Sequence, residues 1–189
     1  MGVSSEEIKI YTLGDSHSWH AWLNIPEVTV KTIGPMTMHG MATGSSFGLK
    51  EIPKGSYLIC CWGEIDCRCH VHNHQPWQEC INKLVEGYLE KIKEFAKDYK
   101  VILFNVVPPP KAEKVVEKWG GKDFPFVGSN EVRLQYVKYM NKKLKESGYP
   151  FIDVYDHYCD EDGFMLDGNV HIKDEQPLID WLTKNKVGV

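Results

Sequence analysis

Gly14-Asp15-Ser16 stands directly after an apolar run near the start of the chain, and Asp167-Gly168-Asn169-Val170-His171 lies near its end. A serine hydroxyl is a poor nucleophile until a neighbouring base takes its proton. Here His171 is the candidate base, with Asp167 to hold the imidazole in the required tautomer and orientation. A serine at a strand-to-helix turn also sets its own N–H near a helix N-terminus, where a developing oxyanion can be met. The surroundings are not the Gly-x-Ser-x-Gly elbow, because position 18 is Ser. Alone, a Gly-Asp-Ser tripeptide is more often a turn or an N-cap than a nucleophile. An Asp and a His in one loop are equally ordinary. What gives the pair weight is placement, one half after the first apolar run and the other before the last amphipathic stretch.

A second concentration of polar groups is Gly63-Glu64-Ile65-Asp66-Cys67-Arg68, continuing into Cys69-His70-Val71-His72-Asn73-His74. Cys and His are zinc ligands, but these cysteines are one residue apart rather than two to four, and no second pair is placed to complete a site. No metal and no cofactor are therefore expected. Read as an extended loop, the segment points Cys67, Cys69 and Val71 one way and Arg68, His70 and His72 the other. It then forms a polar wall in which Arg68 faces an anionic group or carboxylate. Cys60 and Cys61, inside an apolar run, read as core. Trp19 and Trp62 flank the clusters and are candidates for contact with a sugar ring, against the default that aromatics fill cores. Met36, Met38 and Met41 read as loop packing. His17, His20 and His39 read as exposed loop residues, with His17 a competing base beside Ser16.

These groups need a frame. Residues Ile8–Leu13, Val28–Ile33, Tyr57–Trp62, Val101–Phe104 and Phe151–Tyr155 read as five short strands, the third apolar throughout as in a strand buried on both faces. Ile81, Leu84, Val85, Tyr88, Leu89, Ile92, Phe95 and Ala96 recur at helical spacing, with Pro76 near the start where its missing N–H is harmless. Further helices are expected over Asn130–Glu146 and around Glu175–Thr183, and a short one within Lys111–Trp119. Alternating strands and helices predict a parallel sheet covered on both sides, a flavodoxin-like three-layer α/β/α sandwich of about five strands in one domain spanning 1–189. In such sheets functional loops gather beyond the carboxyl ends of the strands. Gly14-Asp15-Ser16, Gly34-Pro35, Gly63-Glu64, Asn105 and the Asp167–His171 loop all fall on that edge.

Composition narrows the function classes. The chain of 189 residues is 42% apolar and 25% charged, with net charge −4, which gives no electrostatic footprint for nucleic acid. No run approaches the length of a membrane span. The first residues, with Glu6, Glu7 and Lys9, do not resemble a signal peptide. Five of the six cysteines crowd into residues 60–80, a poor disulfide framework, and reduced thiols in a cytoplasmic setting are expected.

In order and spacing, Gly14-Asp15-Ser16, Gly63-Glu64-Ile65-Asp66 and Asp167…His171 resemble three signature blocks of the SGNH (GDSL-like) hydrolases. The Gly63–Arg68 stretch is similar to a subgroup associated with polysaccharide modification. The resemblance spans nearly the whole chain. It implies Ser–His–Asp chemistry on an O-acyl ester, here of a small molecule or glycan, with Ser16, His171 and Asp167 catalytic. Oxyanion and substrate contacts would come from Gly44, Gly34 or Gly40, and from Gly63, Glu64, Asp66, Arg68, His70 and Asn105. Two departures are specific. Ile65 occupies the position of the family's oxyanion asparagine, and the family's Asp-x-x-His is one residue longer here. Acyl transfer to a sugar hydroxyl uses the same groups. A scaffold without hydrolysis, binding a glycan or nucleotide-sugar or serving a glycosyltransferase, is the alternative from another class.

Overall fold

The computed structural model describes residues 9–44, 47–116 and 124–188. Glu6, Glu7, Ile8 and Trp119, which figured in the expectations above, lie outside them. The sheet has five parallel strands in the order β2-β1-β3-β4-β5. They are β1 (Ile10–Gly14), β2 (Val28–Thr32), β3 (Tyr57–Cys61), β4 (Lys100–Phe104) and β5 (Phe151–Ile152). The helices are α1 (Met38–Thr43), α2 (Trp77–Phe95), α3 (Asn130–Lys145) and α4 (Gln176–Lys184). This is the three-layer flavodoxin-like architecture that the alternating pattern predicts.

The period of two along each strand divides the core between the sheet's faces. Leu13, Leu58, Cys60, Val101 and Leu103 pack with α1, α2 and α3 residues including Met38, Met41, Val85, Tyr88, Tyr136 and Met140. Ile10, Ile59, Cys61, Ile102, Phe104 and Ile152 pack with Trp22, Tyr158, Leu178 and Leu182 on the other face. β1, β3 and β4 are therefore buried on both sides and carry few polar residues. β2, at the sheet's edge, buries only its first residue fully. No helix is long and apolar enough to cross a membrane among the described residues.

Three elements differ from the expectation. β5 stops at Ile152 rather than Tyr155, because Asn105 Oδ1 takes the Val154 N–H at 2.9 Å in place of a strand partner. The Met36–Met41 run contains a helix, capped by Thr37 Oγ1 on the Gly40 N–H, whose Met38 and Met41 are wholly buried. The segment read as an extended loop is helical from Glu64, with one π-helical turn over Asp66–His70. Cys67, Arg68 and Cys69 are consequently all buried, and the expected alternation of faces does not exist.

Candidate active site

Gly14 ends β1 where a side chain has no room. A Cβ there would lie 2.1 Å from the carbonyl oxygen of Cys61 on β3. The next peptide turns away with Asp15 N–H donating to the same oxygen at 3.3 Å. Asp15 then caps the 3-10 turn Ser16–Ser18, its Oδ1 accepting the His17 N–H at 2.9 Å. Ser18 Oγ donates to the Asp15 carbonyl at 2.7 Å, and Thr12 Oγ1 donates to the Ser18 carbonyl at 2.7 Å. The nucleophile turn is thus tied at both ends to β1. As the first residue of the turn, Ser16 has a backbone N–H with no acceptor inside it.

His171 arrives from the far end of the chain. Its loop is anchored by Met165 N–H on the Pro109 carbonyl and by Leu166 N–H on the Tyr158 carbonyl. His171 Nε2 lies 2.8 Å from Ser16 Oγ. Burial pushes the His171 pKa down, with further lowering from His17, His20, Arg68 and Lys173, to about 2. The ring is therefore neutral, and with its proton on Nδ1 the serine hydroxyl donates to Nε2. His20 stacks on the same ring, centroids 3.7 Å apart and planes 18° apart.

Asp167 is placed differently from the expectation. It is exposed, and its Oδ1 accepts the Asn169 N–H at 2.9 Å while Oδ2 accepts the Asn169 side-chain amide at 3.3 Å. No hydrogen bond or ion pair joins Asp167 to His171 among the described residues. The extra residue between them closes an Asx turn, with Gly168 at φ +72°.

His17 is neither exposed nor a competing base. It is buried, its Nδ1 is 3.0 Å from Asp15 Oδ1, and its Nε2 is 3.3 Å from the Val170 carbonyl. The sequence suggests His17 only as a competing base and gives His20 no place in the site. They lie in two separate 3-10 turns, Ser16–Ser18 and His20–Asn24, and it is the break at Trp19 that brings both rings to His171.

The remaining candidates separate into groups used inside the fold and groups left at the surface. Glu64 and Arg68 are buried and meet at two points, Nε–Oε1 at 2.9 Å and Nη2–Oε2 at 3.1 Å. Arg68 also donates to the Phe124 carbonyl at 3.2 Å and lies over the Phe126 ring. The guanidinium expected to face an anionic ligand is therefore already engaged by protein groups. Asp66 Oδ2 accepts the Met38 N–H at 2.6 Å, closing the start of α1. Burial raises its pKa to about 7 against the opposing hydrogen bonds from Met38 and His39. Asn105 is spent on Val106 and Val154. Gly63, at φ +116°, leaves space taken by Met140 and Val106. Ile65 is buried and apolar.

His70 is exposed and lines a cavity of about 970 Å³ with His39, His74, Lys83 and Asp66. Gly34, at φ +89°, has open space beside it, while Gly44 is packed against Phe47. Trp62 is a core residue, edge-on to Tyr88 and Phe47. Trp19 is 45% exposed and its ring lies 5.4 Å from His20. No group of three or more His, Cys, Asp or Glu able to hold a metal occurs among the described residues.

No protein-family model matches the chain, and no curated protein matches it. Solved structures do. A Streptococcus pneumonia protein provisionally described as a platelet activating factor superposes with TM-score 0.60 at 16% identity, covering 97% of this chain and 86% of that one. The lipase/acylhydrolase from Enterococcus faecalis superposes with TM-score 0.55 at 16% identity, covering 96% of both chains. An Agrobacterium tumefaciens protein provisionally described as an arylesterase gives 0.50 at 14% identity, covering 95% and 99%. The chain shares its fold with these proteins over nearly its full length.

Proposed function

We propose that this chain is an SGNH-type serine ester hydrolase, one domain over 1–189, with Ser16 as nucleophile and His171 as general base and then general acid. The observation that carries this is the 2.8 Å contact between Ser16 Oγ and His171 Nε2, made by residues 155 positions apart. Ser16 Oγ attacks the acyl carbonyl as its proton passes to His171 Nε2. The tetrahedral intermediate collapses when His171 returns that proton to the departing alcohol, and water then cleaves the acyl-enzyme through the same base. The oxyanion is assigned to the Ser16 N–H and, of the glycines after β2, to Gly34, because the Gly40 N–H is taken by Thr37 Oγ1 and the Gly44 N–H by the Gly40 carbonyl. Ile65 can donate nothing there, and one missing donor lowers the rate by about 100- to 1000-fold. Asp167 acts through the loop it folds, presenting His171 rather than binding its ring.

The substrate class is an O-acyl ester on a carbohydrate. Its support is Trp19, a half-exposed indole next to His20 and so beside the reacting groups, where a sugar face can stack. Trp19→Ala is expected to raise KM for an acetylated sugar and leave that for a small aryl acetate within about threefold. A sugar hydroxyl in place of water would convert the same acyl-enzyme to transfer. A cytoplasmic setting goes with this proposal, supported by six cysteines that are all free thiols.

A fluorophosphonate probe tests the reading. Labelling of the wild type that disappears in Ser16→Ala and His171→Ala is the expected result. Folded wild-type protein that takes no label would overturn it. The second reading, a glycan- or nucleotide-sugar-binding module, is favoured by two observations: a base held as low as about 2 accepts protons poorly, and Ile65 is apolar. An unlabelled protein whose melting temperature rises with nucleotide-sugars would establish it.

A further inference from the structure

His17 has an oxygen acceptor at each ring nitrogen, Asp15 Oδ1 at 3.0 Å from Nδ1 and the Val170 carbonyl at 3.3 Å from Nε2. A neutral imidazole has one N–H and one lone pair, so it would turn a lone pair toward one of these oxygens. Only the doubly protonated ring satisfies both. Asp15 supplies the counter-charge from a fully buried carboxylate. Val170 immediately precedes His171.

We infer that His17 is a positioning residue: as a buried imidazolium it bridges the nucleophile turn, through Asp15, to the His171 loop, through the Val170 carbonyl, and so fixes the distance between Ser16 and His171. This rests on the proposed hydrolase reading for its catalytic consequence, though the bridge itself does not. His17 joins the two segments across the sheet edge, beside the Ser16–His171 contact and the His20–His171 stack. Ser16 immediately precedes His17, and His171 immediately follows Val170.

The groups facing the His17 ring are Asp15 on its own turn, Glu64 and Arg68 after β3, His171 at 4.8 Å between ring centroids, and the neighbouring Cys61, whose thiol burial keeps protonated. Burial pulls the His17 pKa down and Arg68 adds to that, but Asp15, by charge and hydrogen bond, and Glu64 outweigh them, leaving it above 6.5. The sign follows. The bridge is intact below 6.5 and is lost as pH rises through the raised value. An alkaline limb in turnover is then due to the bridge opening, since His171 stays neutral and competent throughout.

The experiment uses the whole chain. Nitrogen-15 NMR of the imidazoles across about pH 5 to 9, with His17→Gln to assign the signals, reads both ring nitrogens of His17 directly. Both His17 nitrogens should be protonated near pH 7, and loss of one proton should occur above 6.5. A bare nitrogen on His17 near pH 6 would overturn the bridge.

Turnover of p-nitrophenyl acetate is the second arm. In His17→Gln, which can still donate one hydrogen bond to Val170, kcat should fall by about 10- to 100-fold with KM within about threefold, the size of effect that small misplacement of reacting groups produces. The alkaline limb should vanish. A variant that keeps the wild-type kcat and limb refutes the positioning role. If the wild type cleaves no ester while the NMR result holds, the hydrolase reading fails and the bridge stands.

Discussion

Glu64 and Arg68 belong, from their contacts, to the fold rather than to substrate, and Arg68→Met separates the two. Both side chains are under a tenth exposed, at 6% and 8%, so solvent does little to screen them. Methionine keeps the length of the stem and removes the charge, stranding the Glu64 carboxylate near the Asp15–His17 pair. Removing one partner of such a pair costs about 3–5 kcal/mol. For a chain of this length that corresponds to a fall in melting temperature of roughly 6–20 °C, at about 2–4 °C per kcal/mol. The Phe124 carbonyl loses its donor as well. Glu64→Gln with Arg68→Met removes both charges together and should recover part of that loss, since the stranded carboxylate is the larger contribution. Urea unfolding of the four proteins in the cycle measures it. An Arg68→Met protein with unchanged stability and a KM raised tenfold or more would refute the assignment and make Arg68 a substrate contact.

Three further outcomes are specific. The acid limb of kcat/KM should lie far below 6.5, because burial and the neighbouring cations hold His171 neutral down to about 2. Turnover near pH 5 equal to that near pH 6.5 is expected, and a limb with a midpoint near 6.5 would show an ordinary, solvated base. Asp167→Ala should lower kcat by no more than about tenfold, against the roughly 10,000-fold loss that follows when an aspartate directly holding the base is replaced; steady-state kinetics distinguishes these. Gly14→Ala should leave little folded protein, since its Cβ would meet the Cys61 carbonyl at 2.1 Å between two central strands. Circular dichroism and soluble yield report on it, and a variant as stable as wild type would mean that β1 and β3 can separate there.

The central strands were legible because burial on both faces leaves them few polar residues, and α2 because a 19-residue amphipathic helix repeats its apolar stripe five times. Shorter elements carry less signal. α1 is six residues long and shows only Met38 and Met41, too few to establish a period. β5 was overread because Asp153-Val154-Tyr155 keeps a strand-like composition while the Asn105 side chain, not a strand, takes the Val154 N–H.

The Gly63–His70 segment was misread for a more instructive reason. Cys-Arg-Cys-His alternates in polarity, and alternation suggests an extended chain. The competing pattern was also present: Glu64 and Arg68 are four apart and of opposite charge, and the apolar Cys67 and Val71, both buried in the core, are four apart as well. That spacing belongs to a helix, where residues four apart share a face. The same contrast separates the two halves of the candidate site. Parallel α/β topology brings strand ends together, so Ser16 and His171 could be paired from chain order alone. Which atom of the His171 loop then faces which partner depends on local turn chemistry. In Asp-Gly-Asn the carboxylate finds the N–H two residues on before it can reach a ring four residues on. Where a chemical role and a turn compete for one aspartate, the nearer hydrogen bond costs less chain entropy, and here it decides the geometry.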